Sequence, residues 1–265
     1  MKKIMQHDMQ LPEDVMLKIK LVITLVSMAS IAFIWSLPPM AQEIHYHLFA
    51  DQRTFLGVSN FYNVFSNILF LLVGLMGLYE ILHSKKIQLM NEQKTAGVLF
   101  FFAVAWVAIG SGYYHLWPDN STLLWDRLPM TVAFMALFSI VLSEFVSTRF
   151  SKSSLILLVA FGVFSVVYWH ITELNGAGDL RLYILVQFLP MVLIPLLLLL
   201  CCEKSVYLAG YWVLLFWYVV AKLCEYFDQA IFDLLGVISG HSLKHVAAAL
   251  GVLFLLLAYR RKNPM

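Results

Sequence analysis

Apolar residues along this chain run in unbroken blocks, without the alternation of half-buried strands or the one-sided stripe of surface helices. Eight blocks come close to the ~20 residues that a helix needs to cross a bilayer. They are Ile19–Leu37, Asn63–Leu82, Gly97–His115, Leu123–Phe145, Leu155–Ile171, Leu182–Cys201, Val206–Phe227 and His241–Tyr259. The polar islands between them are short, and no internal repeat, linker or low-complexity tract interrupts the series. The pattern predicts an all-α polytopic membrane protein of about eight spans, because a helix satisfies its own backbone in hydrocarbon.

Composition agrees. Of 265 residues, 61% are hydrophobic and 13% charged, with a mean hydropathy of +0.81, whereas soluble domains carry ~25% charged residues. The charges also sort by connection. Lys2, Lys3, Lys18, Lys20, Lys85, Lys86, Lys94, Arg149, Lys152, Lys204, Arg260, Arg261 and Lys262 fall on one side, against Arg53, Arg127 and Arg181 on the other. That bias puts both termini in the cytoplasm, as an even number of spans requires. Residues 1–18 are read as a cytoplasmic segment rather than a signal peptide, since no small-residue cleavage site follows the first apolar block. Cys201, Cys202 and Cys224 are odd in number and lack a C-x-x-C spacing, so neither a disulfide framework nor a thiolate metal site is indicated. No nucleic-acid partner is expected.

Candidate chemistry concentrates at the other ends of the spans. In G-H-S-L-K-H, His241 and His245 are four apart and share one helix face. His115 closes the third span in G-S-G-Y-Y-H, at the same membrane depth on the same side. Three imidazoles with one open position match a catalytic zinc site. Asp126, in L-W-D-R-L-P, lies at that level as a base or orienter, and Ser111 shares the face of His115 one turn away. Taken singly, each has a plainer explanation: an interfacial histidine, an Asp126–Arg127 pair, a small residue for helix packing. Lys222, Glu225 and Asp228 share a face of the seventh span; Lys222 and Glu225 are read first as a neutralising pair, with a proton or ion path as the alternative. Asp228 is placed to support a histidine. Asn60, Asn63, Ser66 and Asn67 are read as helix–helix hydrogen-bonding groups, and His45 and His47 as solvated.

With these motifs in view, N-F-Y-N-V-F-S-N, then S-G-Y-Y-H followed by Asp126, then H-S-L-K-H resemble the alkaline ceramidases. That family belongs to a wider superfamily that includes the adiponectin-type receptors. The resemblance covers roughly Asp51 to the C-terminus. It implies a seven-helix core over 39–262, preceded by an additional helix over 19–38, with zinc on His115, His241 and His245. It also implies that Asp126 assists the attacking water and Ser111 the oxyanion. The expected reaction is hydrolysis of the amide of ceramide or a related N-acyl lipid, giving a fatty acid and a sphingoid base or other amine. Asn60 stands where the eukaryotic enzymes carry a calcium-binding Glu, and Asp51 is the nearest acid, which argues against calcium dependence. Asp51, Asn60, Asn63, Asn67, Asp228, Glu225 and Lys222 form a second tier, supporting the site or touching substrate. The chain looks most like compact bacterial members, which implies the inner membrane.

Two other readings are weighed against hydrolysis. A receptor-type relative would carry the same zinc site in a structural role, but its site faces the cytoplasm, whereas the basic residues here put it outside. A transporter would use Lys222, Glu225 and Asp228, and the absence of a repeat or of clearly broken helices argues against it. Trp106, Trp117 and Trp125 suit an interfacial belt near the site.

Overall fold

The computed structural model describes residues 13–84, 86–87, 89–148, 151–200 and 207–260. Lys2, Lys3, Lys85, Arg149, Lys204, Arg261, Lys262, Cys201, Cys202 and Val206 lie outside the described residues. The order is α1 (Glu13–Ser36), a 3-10 turn (Ile44–His47), α2 (Phe61–Phe65), α3 (Ile68–Tyr79) with a π turn (Glu80–Ser84), and α4 (Lys94–Leu116). Then come α5 (Asn120–Phe145), α6 (Ser151–Leu174), α7 (Arg181–Leu200), α8 (Leu208–Tyr226), α9 (Asp228–Leu235) and α10 (Gly240–Arg260). Among the described residues, eight helical segments are long and apolar enough to cross a membrane, and the only β feature is an isolated bridge between Phe55 and Val58.

Three local results differ from the sequence reading. α1 includes Glu13, so Lys18 stands on the helix rather than in a polar tail. The stretch after α8, expected as a turn, forms α9, closed by Gly236 in the left-handed conformation at φ 68°. The second span is also not one continuous α-helix. At Ser66 and Asn67 the backbone stays right-handed but tightens, with Asn67 N–H reaching the carbonyl of Val64. A one-turn tightening of this kind keeps every backbone group paired within the membrane.

The core is built around α4 and α5, which pack along each other, with α3 against α4, α6 against α5 and α10 against α8. α1 stands apart, touching α7 and burying only Ile19 and Ile34. α7 and α8 make little contact with each other. Contacts define the two ends of the bundle. At one end Ser151 Oγ donates to the carbonyl of Glu92 at 2.6 Å, and Arg260 pairs with Glu80. The opposite end is roofed by residues 37–60, pinned at several points. Leu180 N–H donates to Met40 O at 2.9 Å, and Ala50 N–H donates to Asp228 Oδ2 at 3.0 Å. Asn63 Nδ2 donates to Asp51 O at 3.2 Å, and His47 bonds Tyr114 and Asn120, both at 2.9 Å. His47 is therefore a structural tie rather than a solvated residue.

Candidate metal centre

Each of the three histidines is carried to the roofed end by a helix that the sequence positions there. α4 delivers Ser111 and His115 one turn apart, and it lies against α5 so closely that a Cβ on Gly110 would collide with the carbonyl of Trp125. α5 starts from a capping box, in which Asp119 accepts from Thr122 N–H at 2.7 Å and Thr122 Oγ1 accepts from Asp119 N–H at 3.1 Å. That start fixes the rotation of α5 and so the direction of Asp126. α10 begins at Gly240, where a Cβ would strike the carbonyl of Cys224. Its first amides are capped by side chains: His241 N–H donates to Asp228 Oδ1 at 2.7 Å, and Ser242 N–H to Ser239 Oγ at 3.2 Å.

The three rings converge. Ring centroids are 4.9 Å apart for His115 and His241, and 5.1 Å for each of the other two pairs. One ring nitrogen from each lies within 4.8 Å of the others, and all three residues are buried. His115 Nδ1 and His241 Nε2 are buried without a hydrogen-bond partner, an arrangement that costs free energy unless something accepts those lone pairs. His245 is oriented differently. Its Nδ1 lies 2.8 Å from Ser66 Oγ, which is also 3.1 Å from the carbonyl of Asn63. A carbonyl only accepts, so the single Ser66 proton goes to Asn63, and Ser66 accepts from Nδ1–H of the histidine. The proton on Nδ1 leaves the Nε2 lone pair for a ligand. Three buried imidazoles, two with orphaned nitrogens and one with its tautomer set by a neighbour, form a donor set that could hold a metal ion.

Beside them, Ser111 and Asp126 are both buried. Ser111, Asp126 and His245 all line a cavity of about 810 Å³ that runs between α5, α7, α8 and α10. Its deeper walls are apolar, with Phe100, Val104, Phe134 and Leu137 among them. The volume lies within the ~300–1,000 Å³ of typical small-molecule sites.

The second-tier residues separate. Asp228 supports His241 through the backbone amide rather than the ring, and it ties the roof to α10. Asn60 Nδ2 donates to the carbonyl of His115 at 2.8 Å from a left-handed backbone at φ 50°. Asn63 Oδ1 accepts from Ser242 Oγ at 2.6 Å, and Asn67 Nδ2 donates to Asn63 O at 2.7 Å. These amides hold the ligand-bearing backbone in register. Asp51 is in the roof, paired with Arg53 at 2.7 Å. Burial pushes the Asp51 pKa up, but the bonds and charge of Arg53 outweigh that and hold the carboxyl below its usual range. Glu225 is claimed twice, by Lys222 at 2.7 Å and by Lys244 at 2.6 Å.

Sequence reasoning missed four participants. Lys244 sits inside the G-H-S-L-K-H motif but is polar on a face read only for histidine. Ser66 orients His245, although its hydroxyl was taken for helix packing. Phe49 lies edge-on to His115 at 4.7 Å and to His241 at 4.6 Å, in a connection whose path hydropathy does not reveal. Arg127, weighed in the sequence only as a plain partner for Asp126, donates from Nη2 to Gln42 Oε1 at 2.5 Å.

A family model described as Ceramidase matches residues 54–261 of the chain. No curated protein matches it.

Proposed function

The chain belongs to the ceramidase family, and from that premise we propose zinc-dependent hydrolysis of the amide bond of ceramide or a related N-acyl membrane lipid, releasing a fatty acid and an amine. The observation that carries this reading is the convergence of three buried imidazoles, with orphaned nitrogens on two of them, beside the Ser111–Asp126 pair at the polar end of a lipid-sized cavity.

His115, His241 and His245 would hold the ion. Zinc in such a site supplies Lewis acidity and lowers the pKa of water toward ~7. The remaining work falls to the chain. Hydrolysis adds water to the carbonyl carbon, breaks the C–N bond and must deliver a proton to nitrogen, because an amide anion does not leave unprotonated. Asp126 takes the proton from water and passes it to that nitrogen. The Ser111 hydroxyl, which lines the same cavity as Asp126, donates to the carbonyl oxygen as negative charge develops there. The apolar walls take the acyl chain and exclude water. The end bearing Lys86, Lys94, Lys152 and Arg260 faces the cytoplasm in this proposal, and the histidine end the opposite side.

The test is mass spectrometry of fatty acid released from a panel of N-acyl lipids by the purified protein, with and without a chelator. Chelator-sensitive release is expected, with bound zinc near one per chain and loss of zinc in His241→Ala and His245→Ala. Full zinc retention in both variants would remove the site.

A further inference from the structure

Arg127 is a buried cation whose partners do not account for its charge. It is 5% exposed and lines the cavity immediately after Asp126 in α5. Its guanidinium carbon lies 4.2 Å from the ring centroid of Trp169 and 4.5 Å from that of Tyr183. Those rings fix the plane of the fork. Nη2 donates to a neutral amide oxygen, that of Gln42, and Nη1 is buried without any partner. Among the described residues, no carboxylate lies within ion-pair distance of it. Glu173 is engaged elsewhere, accepting from Trp169 Nε1, Gln42 N–H and Asn120 Nδ2.

A guanidinium does not deprotonate in proteins, and a buried charge without a counter-charge is costly. Among the described residues, no carboxylate at the polar end bonds Arg127 directly, and Glu173, beside Trp169 and Gln42, accepts only from neutral donors. Lys222 and Lys244 share the single carboxylate of Glu225. The lining thus sets Arg127, Lys222 and Lys244 against Asp126 and Glu225, with Glu43 on the exposed rim. Position decides which part of a ligand meets Arg127. Asp126 must reach the amide nitrogen and the acyl chain fills the apolar depth, so a cation that lines the same cavity beside Gln42 and Tyr183 is left for the amine portion.

We propose that Arg127 receives an oxyanion on the amine portion of the substrate, so that the preferred lipid is an N-acyl compound with an acidic head group, such as an N-acyl amino acid. The inference rests on the amidase reading above. It makes the planar fork a specificity element that a carboxylate matches through paired N–H donors.

A matched substrate pair tests it: N-oleoylserine and N-oleoylethanolamine, which differ by one carboxylate next to the amide nitrogen. Wild-type kcat/KM is expected to favour the serine conjugate on the order of 10–100-fold, the range of a charge-assisted bond to a buried arginine. Arg127→Gln should abolish the preference. Equal rates on the pair, or cleavage confined to neutral N-oleoylsphingosine, would overturn the role of Arg127 and leave the amidase reading standing. If no lipid is cleaved, the amidase reading fails, and thermal shift then decides on Arg127. N-oleoylserine should raise the melting temperature more than the ethanolamide in wild type but not in Arg127→Gln, and equal shifts in wild type would refute the proposal. Both wild-type comparisons hold even if the variant does not fold.

Discussion

Replacing Ser66 by alanine removes the hydroxyl that orients His245 without changing the proposed metal ligands themselves. Ser66 Oγ lies 2.8 Å from His245 Nδ1. Removing partners of this type from a metal-bound histidine costs ~10–100-fold in metal affinity. The lower end applies here, because the substitution removes a neutral hydroxyl rather than a charged carboxylate partner. The expected loss is therefore about tenfold in zinc affinity, or ~1.4 kcal/mol. The assay is a competition titration of purified protein against a chromophoric zinc chelator, at fixed pH, for wild type, Ser66→Ala and Ser66→Thr. The threonine variant keeps the hydroxyl and should stay near wild type. If Ser66→Ala bound zinc as tightly as wild type, the tautomer argument would be wrong, and Ser66 would be a packing residue after all.

Other outcomes follow from the same geometry. Asp126→Asn should keep its zinc and lose ~10²–10⁴-fold in hydrolysis rate, the usual worth of a positioned acid–base group; a wild-type rate would exclude the proton-transfer role. Gly110→Ala places a methyl against the carbonyl of Trp125 and should lower stability by ~1–3 kcal/mol, read as a fall in melting temperature in detergent. Asp51 is held below its unfolded value near ~3.9. Its contribution is therefore complete above that value and disappears as pH falls through the lower, folded value. Melting temperature should drop below pH ~4 in wild type, and the drop should be shallower in Asp51→Asn.

The architecture and the convergence of the three histidines were readable from the chain for a specific reason. Long apolar blocks leave few polar positions, and helical geometry then fixes which of those share a level. His241 and His245 are one turn apart in any helix, and His115 ends a span on the same side, so their meeting required only that the helices pack. Ser66, Phe49 and Arg127 were not readable in the same way. Ser66 acts through a tightened turn that no propensity marks. Phe49 reaches the histidines because the 37–60 segment folds back, held by Asp228, Tyr114 and Arg53, and hydropathy is blind to the path of a connection. Arg127 looked paired with the acid beside it, but adjacent helical residues point ~100° apart, and tertiary packing gave it Trp169 and Gln42 instead.

The roof over the histidine end and the sparse contact between α7 and α8 together constrain how a lipid arrives. A lipid that enters between α7 and α8 comes from within the leaflet rather than from water. Turnover then depends on a two-dimensional concentration: at constant bulk amount, diluting the substrate with inert phospholipid slows the reaction in proportion to its mole fraction in the bilayer.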